Sequence, residues 1–290
     1  MRFGGGVRAF RSPEEWIANL REFGYGAAIF PVDASAPRGE RMAYADAAQK
    51  SGMLIGEVGA WGNPLSRDAA QAAEALARCK AALAMADEVG ARCCVNISGT
   101  ASSKWDAYDP WNYTDEAYMR IVYSVRDIID SVRPARAFYT LEPMPWMHPW
   151  GPDDYLQLLR DVDRPEFGAH MDCCNMINSM ERYHSRSQFV SECFEKLGPH
   201  IKSVHIKDIR LDANALPLSI KEVQPGSGAM DFAHMLKCAA ALGDVPVFTE
   251  HLGSAGEYLA ASLYVRGTAK KAGITLAVPA GAMPLPSFRA

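Results

Sequence analysis

No run in this chain approaches the ~20 consecutive apolar residues that a membrane-spanning helix needs, and Met1-Arg2-Phe3-Gly4-Gly5-Gly6 offers no continuous apolar stretch for an export signal. The expectation is a cytoplasmic protein with no membrane partner. Nor is there an excess of positive charge, since 30 Lys and Arg face 34 Asp and Glu for a net charge of −4. Binding a phosphate backbone rests on clustered Lys and Arg, so no nucleic-acid partner is expected and a small-molecule substrate is. The seven cysteines are odd in number, include the neighbours Cys93-Cys94 and Cys173-Cys174, and lack zinc-ribbon spacing. They read as small buried hydrophobes in a reducing compartment, with Cys173 or Cys174 also placed to line a pocket. A phosphate-binding loop is missing too: Gly4-Gly5-Gly6 lacks G-x-G-x-x-G spacing and has no helix directly behind it, which argues against a doubly wound open sheet.

What the chain does have is alternation. Its 290 residues are 49% apolar and 22% charged, enough for one large core. Short apolar runs predict strands at 3–7, 26–31, 53–58, 92–97, 137–141, 167–171, 201–206 and 245–249. Amphipathic stretches predict helices between and after them. The first starts at Ser12-Pro13-Glu14-Glu15, with a Ser N-cap and Pro at N1, and the others span about 38–51, 67–89, 115–132, 152–161, 187–197, 231–242 and 255–271. Eight strands alternating with helices give an α/β fold class, a single (β/α)8 TIM barrel over 1–290 with an irregular tail from about 277. Residues 99–114 hold Trp105, Tyr108, Trp111 and Tyr113 without periodicity and are expected to form a lid or pocket wall.

The last four strands end alike. Glu142 follows Leu141, Asp172 follows Met171, His205 closes Ile201-Lys202-Ser203-Val204-His205, and Glu250 follows Thr249. Barrel strand tips ring one mouth, so three carboxylates and one imidazole should converge there. Such carboxylates repel and resist ionisation unless a cation neutralises them. One divalent metal on Glu142, Asp172, His205 and Glu250 is therefore expected, and a set of three O donors and one N donor suits Mn²⁺, Mg²⁺ or Co²⁺, with Zn²⁺ as a further option.

At these residues the chain resembles the xylose-isomerase-like sugar phosphate isomerase/epimerase superfamily, whose members include ketose 3-epimerases, hydroxypyruvate isomerase, inosose dehydratase and, more distantly, endonuclease IV. The resemblance covers nearly the whole chain. It is carried by Leu141-Glu142-Pro143, His170-Met171-Asp172, Ser203-Val204-His205-Ile206-Lys207-Asp208, Glu222-Val223-Gln224-Pro225-Gly226-Ser227-Gly228 and Thr249-Glu250-His251-Leu252. It implies a site for one divalent cation, commonly Mn²⁺, on those four residues. It also implies that Glu142 and Glu250 are the catalytic proton-transfer groups. The chemistry is coherent, because removing a proton beside a carbonyl makes an enediolate whose charge a cation stabilises. Two departures matter. Asn175 stands where the ketose 3-epimerases often have a His three residues after the Asp, and Leu211 stands where they have an Arg, the nearest being Arg210. The run His205-x-Lys207-Asp208-x-Arg210 is more similar to inosose dehydratase. The reading is thus an isomerase or epimerase of a keto sugar or related polyol, with a lyase (inosose-type dehydratase or C-glycoside deglycosidase) as the alternative. Less favoured are endonuclease IV-like repair, which needs more His ligands and a basic groove, and a non-catalytic subunit.

Candidate substrate-binding residues complete the reading. Lys207 could bind a substrate oxygen or act as an acid, or simply pair with Asp208 or Glu222. Arg210, Asn175 and Glu222 lie close by in sequence, and His148 sits in the loop after Glu142. Trp61, Trp105, Trp111, Trp146 and Trp150 fall in expected mouth loops, where indole faces suit the C–H face of a sugar or a flat aglycone. His170 is expected deeper than Asp172 on the same side. His251 should point away from the mouth if the strand continues through it. The turn Pro225-Gly226-Ser227-Gly228 could offer backbone N–H groups to a polar substrate. A homo-oligomer or a heteromeric partner would be in keeping with the superfamily.

Overall fold

The computed structural model, which describes residues 1–285, has strands β1 (Arg2–Gly5), β2 (Ala27–Ile29), β3 (Leu54–Gly59), β4 (Cys93–Asn96), β5 (Phe138–Leu141), β6 (Phe167–Asp172), β7 (Ile201–His205), β8 (Asp208–Leu211), β9 (Ile220–Val223) and β10 (Pro246–Thr249), the eight predicted apolar runs being β1 to β7 and β10. Eight of them form one sheet in the order β1-β10-β7-β6-β5-β4-β3-β2, every neighbouring pair parallel. The Gly26 N–H donates to the Phe3 carbonyl at 2.8 Å, bringing the β2 end of the sheet back to β1 in a nearly closed barrel. This is the (β/α)8 TIM barrel that the alternation predicts. Strands buried on both sides read as continuous apolar runs rather than alternating ones, which is why they are visible in the sequence.

Helices α1 (Pro13–Glu22), α2 (Arg38–Ser51), α3 (Ala69–Val89), α4 (Asp115–Val132), α5 (Pro152–Val162), α6 (Cys173–Met176), α7 (Met180–His184), α8 (Arg186–Leu197), α9 (Phe232–Ala241) and α10 (Ala255–Lys271) follow the strands. Their starts obey local chemistry: Ser12, Asp68, Thr114, Asp231 and Ser254 each accept a hydrogen bond from a backbone N–H of the first turn. Their apolar faces pack on the outside of the barrel in one contiguous core that includes Leu20, Leu83, Ile121, Leu158, Leu236 and Val265. Residues 277–285 carry no helix or strand, and the rest of the tail lies outside the described residues. Among the described residues no helix is long and apolar enough to cross a membrane.

The short helices α6 and α7 and one hairpin were not predicted. β8 and β9 form an antiparallel hairpin on the mouth side of the barrel, after β7. Register sets the level of the mouth: Asp172 of β6 is paired with His205 of β7, and His205 with Phe248 of β10. Residues just past these strand ends therefore meet at one height. Under them, the buried Tyr155 hydroxyl of α5 accepts from the Leu141 and His170 N–H groups and donates to the Leu141 carbonyl at 2.6 Å, bridging β5 and β6 where their own ladder ends.

Candidate functional site

The four strand-tip residues converge. Glu142, Asp172, His205 and Glu250 each offer a ligand atom, and these atoms lie within 4.8 Å of one another. Glu142, Asp172 and His205 are buried, and the Glu250 side chain is 12% exposed. Asp172 divides its carboxylate between two tasks. One oxygen caps α6 by accepting the Asn175 N–H at 3.0 Å, and the other turns into the cluster.

Positive charge reaches this cluster from two side chains. The Lys207 ammonium, also buried, lies 2.9 Å from Asp172 Oδ2, 2.5 Å from Glu250 Oε1, 3.3 Å from Glu222 Oε1 and 3.7 Å from Glu142 Oε1, and donates to Asn175 Oδ1 at 3.1 Å. His205 Nδ1 lies 2.9 Å from Glu250 Oε2 and 3.4 Å from Glu142 Oε1. Burial opposes a charge on His205, but Glu250, Glu57 and Glu142 outweigh it and push the imidazole well above its ordinary value. Burial, reinforced by Glu142 and Glu250 and opposed by Lys207, pushes Asp172 up to about 6. Glu250 also feels burial, but His205 and Lys207 overcome it and hold the carboxyl well below the usual range. These are the signs of a site with more negative charge than its own cations balance.

His205 is oriented from behind by a residue the sequence did not mark. Glu57, in the middle of β3 and 148 positions away, faces His205 Nε2 at 3.1 Å across the barrel interior. Its other oxygen lies 3.4 Å from His170 Nδ1, which is also 2.7 Å from Ser203 Oγ. The His170 and His205 rings meet edge to face at 4.1 Å. Burial works against ionisation of Glu57, yet the two imidazoles bring it down to about 2. The Glu57 carboxylate takes the Nε2–H of His205, and a proton on Nδ1 serves Glu250 at 2.9 Å. A cation among these groups would displace that Nδ1 proton and take the freed lone pair. Asp172 Oδ2, His205 Nδ1 and Glu250 Oε1 are buried and make no aligned hydrogen bond, only ion-pair contacts within the cluster. A divalent cation fits this donor set, since it would satisfy all three at once.

A cavity of about 480 Å³ opens above the cluster, with Glu142, Asn175, Glu222 and Glu250 among its polar lining and Trp61, Trp105, Trp146 and Cys174 among the rest. Asn175 links two cluster members, donating to Glu142 Oε1 at 3.1 Å while accepting from Lys207. Glu222 faces both Lys207 and His251. Within 99–114, expected to wall the pocket, Lys104, Trp105 and Asp106 line the cavity and 110–113 form a 3-10 turn.

Several expected residues lie elsewhere. Arg210 is exposed on β8 because the strand alternates, and Ile209 is the side chain that enters the cavity wall. His148 turns to Asp154 at 2.7 Å and packs on Trp150, beside the start of α5. Trp111 donates to Glu116 and lies under the Arg120 guanidinium on α4. Trp150 stacks on Tyr113. The Gly226 and Gly228 N–H groups, together with that of Met230, are used by the Asp208 carboxylate and are not free for a ligand. His251, in contrast, lines the cavity: β10 ends at Thr249, and His251 takes a left-handed φ of 56° that undoes the alternation.

Residues 17–263 match the family model described as xylose isomerase-like TIM barrel. Solved structures of similar fold include a xylose isomerase-like TIM barrel protein from Mycobacterium smegmatis in complex with magnesium (19% identity, TM-score 0.65, 90% of each chain covered). They also include the 3-keto-D-glucoside 4-epimerase of E. coli (17%, TM-score 0.66, 92% of this chain and 99% of that one). A third is the probable 3-DHS dehydratase of Bacillus anthracis (14%, TM-score 0.66, 89% and 94%). At these identities the likeness is one of fold. No curated protein matches the chain at a significant level.

Proposed function

The chain belongs to the xylose isomerase-like TIM-barrel family, and from that premise we propose that it is a divalent-metal-dependent isomerase or epimerase of a keto sugar or related polyol. The observation that carries this reading is that Glu142 and Glu250 line one cavity and share one buried acid-imidazole cluster, although their strands are separated by β6 and β7. Glu142, Asp172, His205 and Glu250 would hold the cation, with Mn²⁺ first in order and Mg²⁺, Co²⁺ and Zn²⁺ as alternatives. Bound there, it supplies Lewis-acid charge beside the substrate's carbonyl and hydroxyl oxygens.

The chain's own residues do the rest. Glu250, ionised and backed by His205 and Lys207, takes the proton from the carbon beside the carbonyl. Glu142, held by the Asn175 amide, enters the step carrying a proton and gives it to the opposite face of the same carbon in an epimerase, or to the carbonyl carbon in an isomerase. Lys207 keeps Asp172, Glu222 and Glu250 from separating under mutual repulsion. Trp61, Trp105 and Trp146 wall the cavity above these groups.

A lyase reading has its own support. Elimination begins with the same proton removal but needs an acid for the departing oxygen, and an ammonium 2.5 Å from the base supplies one. A dehydratase is also among the proteins of similar fold.

The test is a screen of keto sugars and keto cyclitols with Mn²⁺ in heavy water. An isomerase or epimerase incorporates deuterium beside the carbonyl with no loss of water, while a lyase releases water or an aglycone. The purified protein should hold close to one divalent cation per chain, and activity that persists after a chelator has stripped the metal would overturn the mechanism.

A further inference from the structure

The cavity is larger and less polar than a free sugar requires. Its volume of about 480 Å³ falls in the range of roughly 300–1,000 Å³ seen for drug-sized ligands. The hydroxyl-binding groups are gathered at the cluster end, while Trp61, Trp105, Trp146, Ile209 and Ile220 supply apolar wall. Trp61 and Trp105 are 39% and 42% exposed. Indoles left in water beside a cavity mark a surface that a ligand covers.

Two of these indoles are fixed in place. Trp61 has a φ of 31°, an outlier for a bulky side chain that persists only where its surroundings over-determine it. The surroundings do so here. Asn96 grips the next residue at two points, accepting the Gly62 N–H at 2.9 Å and donating to the Gly62 carbonyl at 3.2 Å. The indole lies where a Cβ on Gly59 would collide with it. Trp146 is pinned by its Nε1–H, which donates to the Asp106 carbonyl at 2.8 Å. A strained, clamped, half-exposed aromatic at the rim is a prearranged contact rather than loop packing. The cavity is also poor in free positive charge. Among the described residues its one Lys or Arg is Lys104, paired with Asp106 at 3.0 Å, and His251 faces Glu222 at 3.0 Å. A phosphate would find no unpaired cation there.

We propose that Trp61, Trp105 and Trp146 form an aromatic subsite, and that the substrate is a keto sugar bearing an uncharged planar substituent, an aryl keto-glycoside in class, rather than a free or phosphorylated monosaccharide. This rests on the reading above only in taking the cluster end as the sugar end.

The test measures binding, not turnover. The protein is titrated with phenyl β-D-glucoside, methyl β-D-glucoside and glucose 6-phosphate, followed by ligand-observed NMR and tryptophan fluorescence. The phenyl compound should bind about tenfold tighter than the methyl one, as an aromatic contact of ~1.4 kcal/mol gives. Glucose 6-phosphate should bind no tighter than the methyl glucoside. Trp61→Ala and Trp105→Ala should each erase most of the preference, and Trp61→Phe, which keeps a ring, should retain much of it. Equal affinities in the unmodified protein, failure of all three compounds to bind, tightest binding of the phosphate, or a preference that survives both alanine substitutions in folded protein would overturn the proposal. The enzymatic reading is scored separately by deuterium uptake from keto sugars, both free and as phenyl keto-glycosides. Aryl preference without uptake leaves the subsite and removes the isomerase reading, and uptake without aryl preference does the reverse.

Discussion

The two halves of the barrel end differently. β6 and β7 end on Asp172 and His205, and Glu142 and Glu250 directly follow β5 and β10, whereas neither the last residues of β1 to β4, Gly5, Ile29, Gly59 and Asn96, nor those that directly follow them are ionisable. One half concentrates charge and the other shapes the space around it. Glu57 fixes the His205 ring from across the barrel, and Asn96 clamps the turn that carries Trp61. The lesson is that a carboxylate-rich centre needs orientation from outside its own strands. Carboxylates that repel one another cannot hold one another in place.

The sharpest break in this comparison is expected at Glu250. Glu250→Gln keeps the shape and a ligand oxygen but removes the base, so deuterium uptake by a productive keto sugar should fall about 10³-fold, within the range that general-base catalysis supplies. Metal content should stay near one per chain. Unchanged uptake would remove Glu250 from its role and with it the functional asymmetry of the halves.

Next in size is Glu57→Gln. An amide is a weaker acceptor for the His205 Nε2–H and carries no charge, so cation affinity should drop about 10- to 100-fold, the usual effect of losing the group behind a metal-bound His. Competition with a chelating dye measures it directly. If affinity does not move, the first half of the barrel contributes shape alone.

Tyr155→Phe probes the support under both tips. Its hydroxyl accepts two backbone N–H groups and donates to one carbonyl in a fully buried place, and deleting it leaves those groups unpaired. Urea unfolding should show a loss of about 1–3 kcal/mol. Cation affinity should weaken less than in Glu57→Gln, because no ligand loses its direct partner.

How much of this was readable from the residues follows from the same contrast. The barrel was legible because strands covered on both faces are runs of apolar residues, and helix starts such as Ser12-Pro13 and Thr114-Asp115 carry their own caps. The four strand-tip residues were legible because polar groups at the ends of apolar runs stand out. Glu57 did not stand out: it lies within its strand, and its partner is 148 positions away, a proximity that only barrel closure creates. The β8–β9 hairpin was hidden because Ile220-Lys221-Glu222-Val223 is half polar and largely exposed, with no run to reveal it. His251 was assigned outward by an alternation that stops two residues earlier.

Arg210 provides the smallest effect and the cleanest control. By sequence it sits five residues after His205 in a charged run and belongs with the substrate-binding candidates; by structure, the β8 alternation turns Ile209 inward and leaves Arg210 in water opposite Lys221. Two cations side by side on an exposed ladder gain nothing from each other. Arg210→Ala should therefore change stability by less than about 0.5 kcal/mol, as exposed substitutions do, and should leave cation affinity and deuterium uptake where they were. Ile209→Asp, one position away, puts a charge into the cavity wall and should weaken binding of the phenyl glucoside. If Arg210→Ala instead lowered uptake as Glu250→Gln does, the hairpin would have to fold over the mouth during turnover, and the line between a charged half and a shaping half would have to be redrawn to include it.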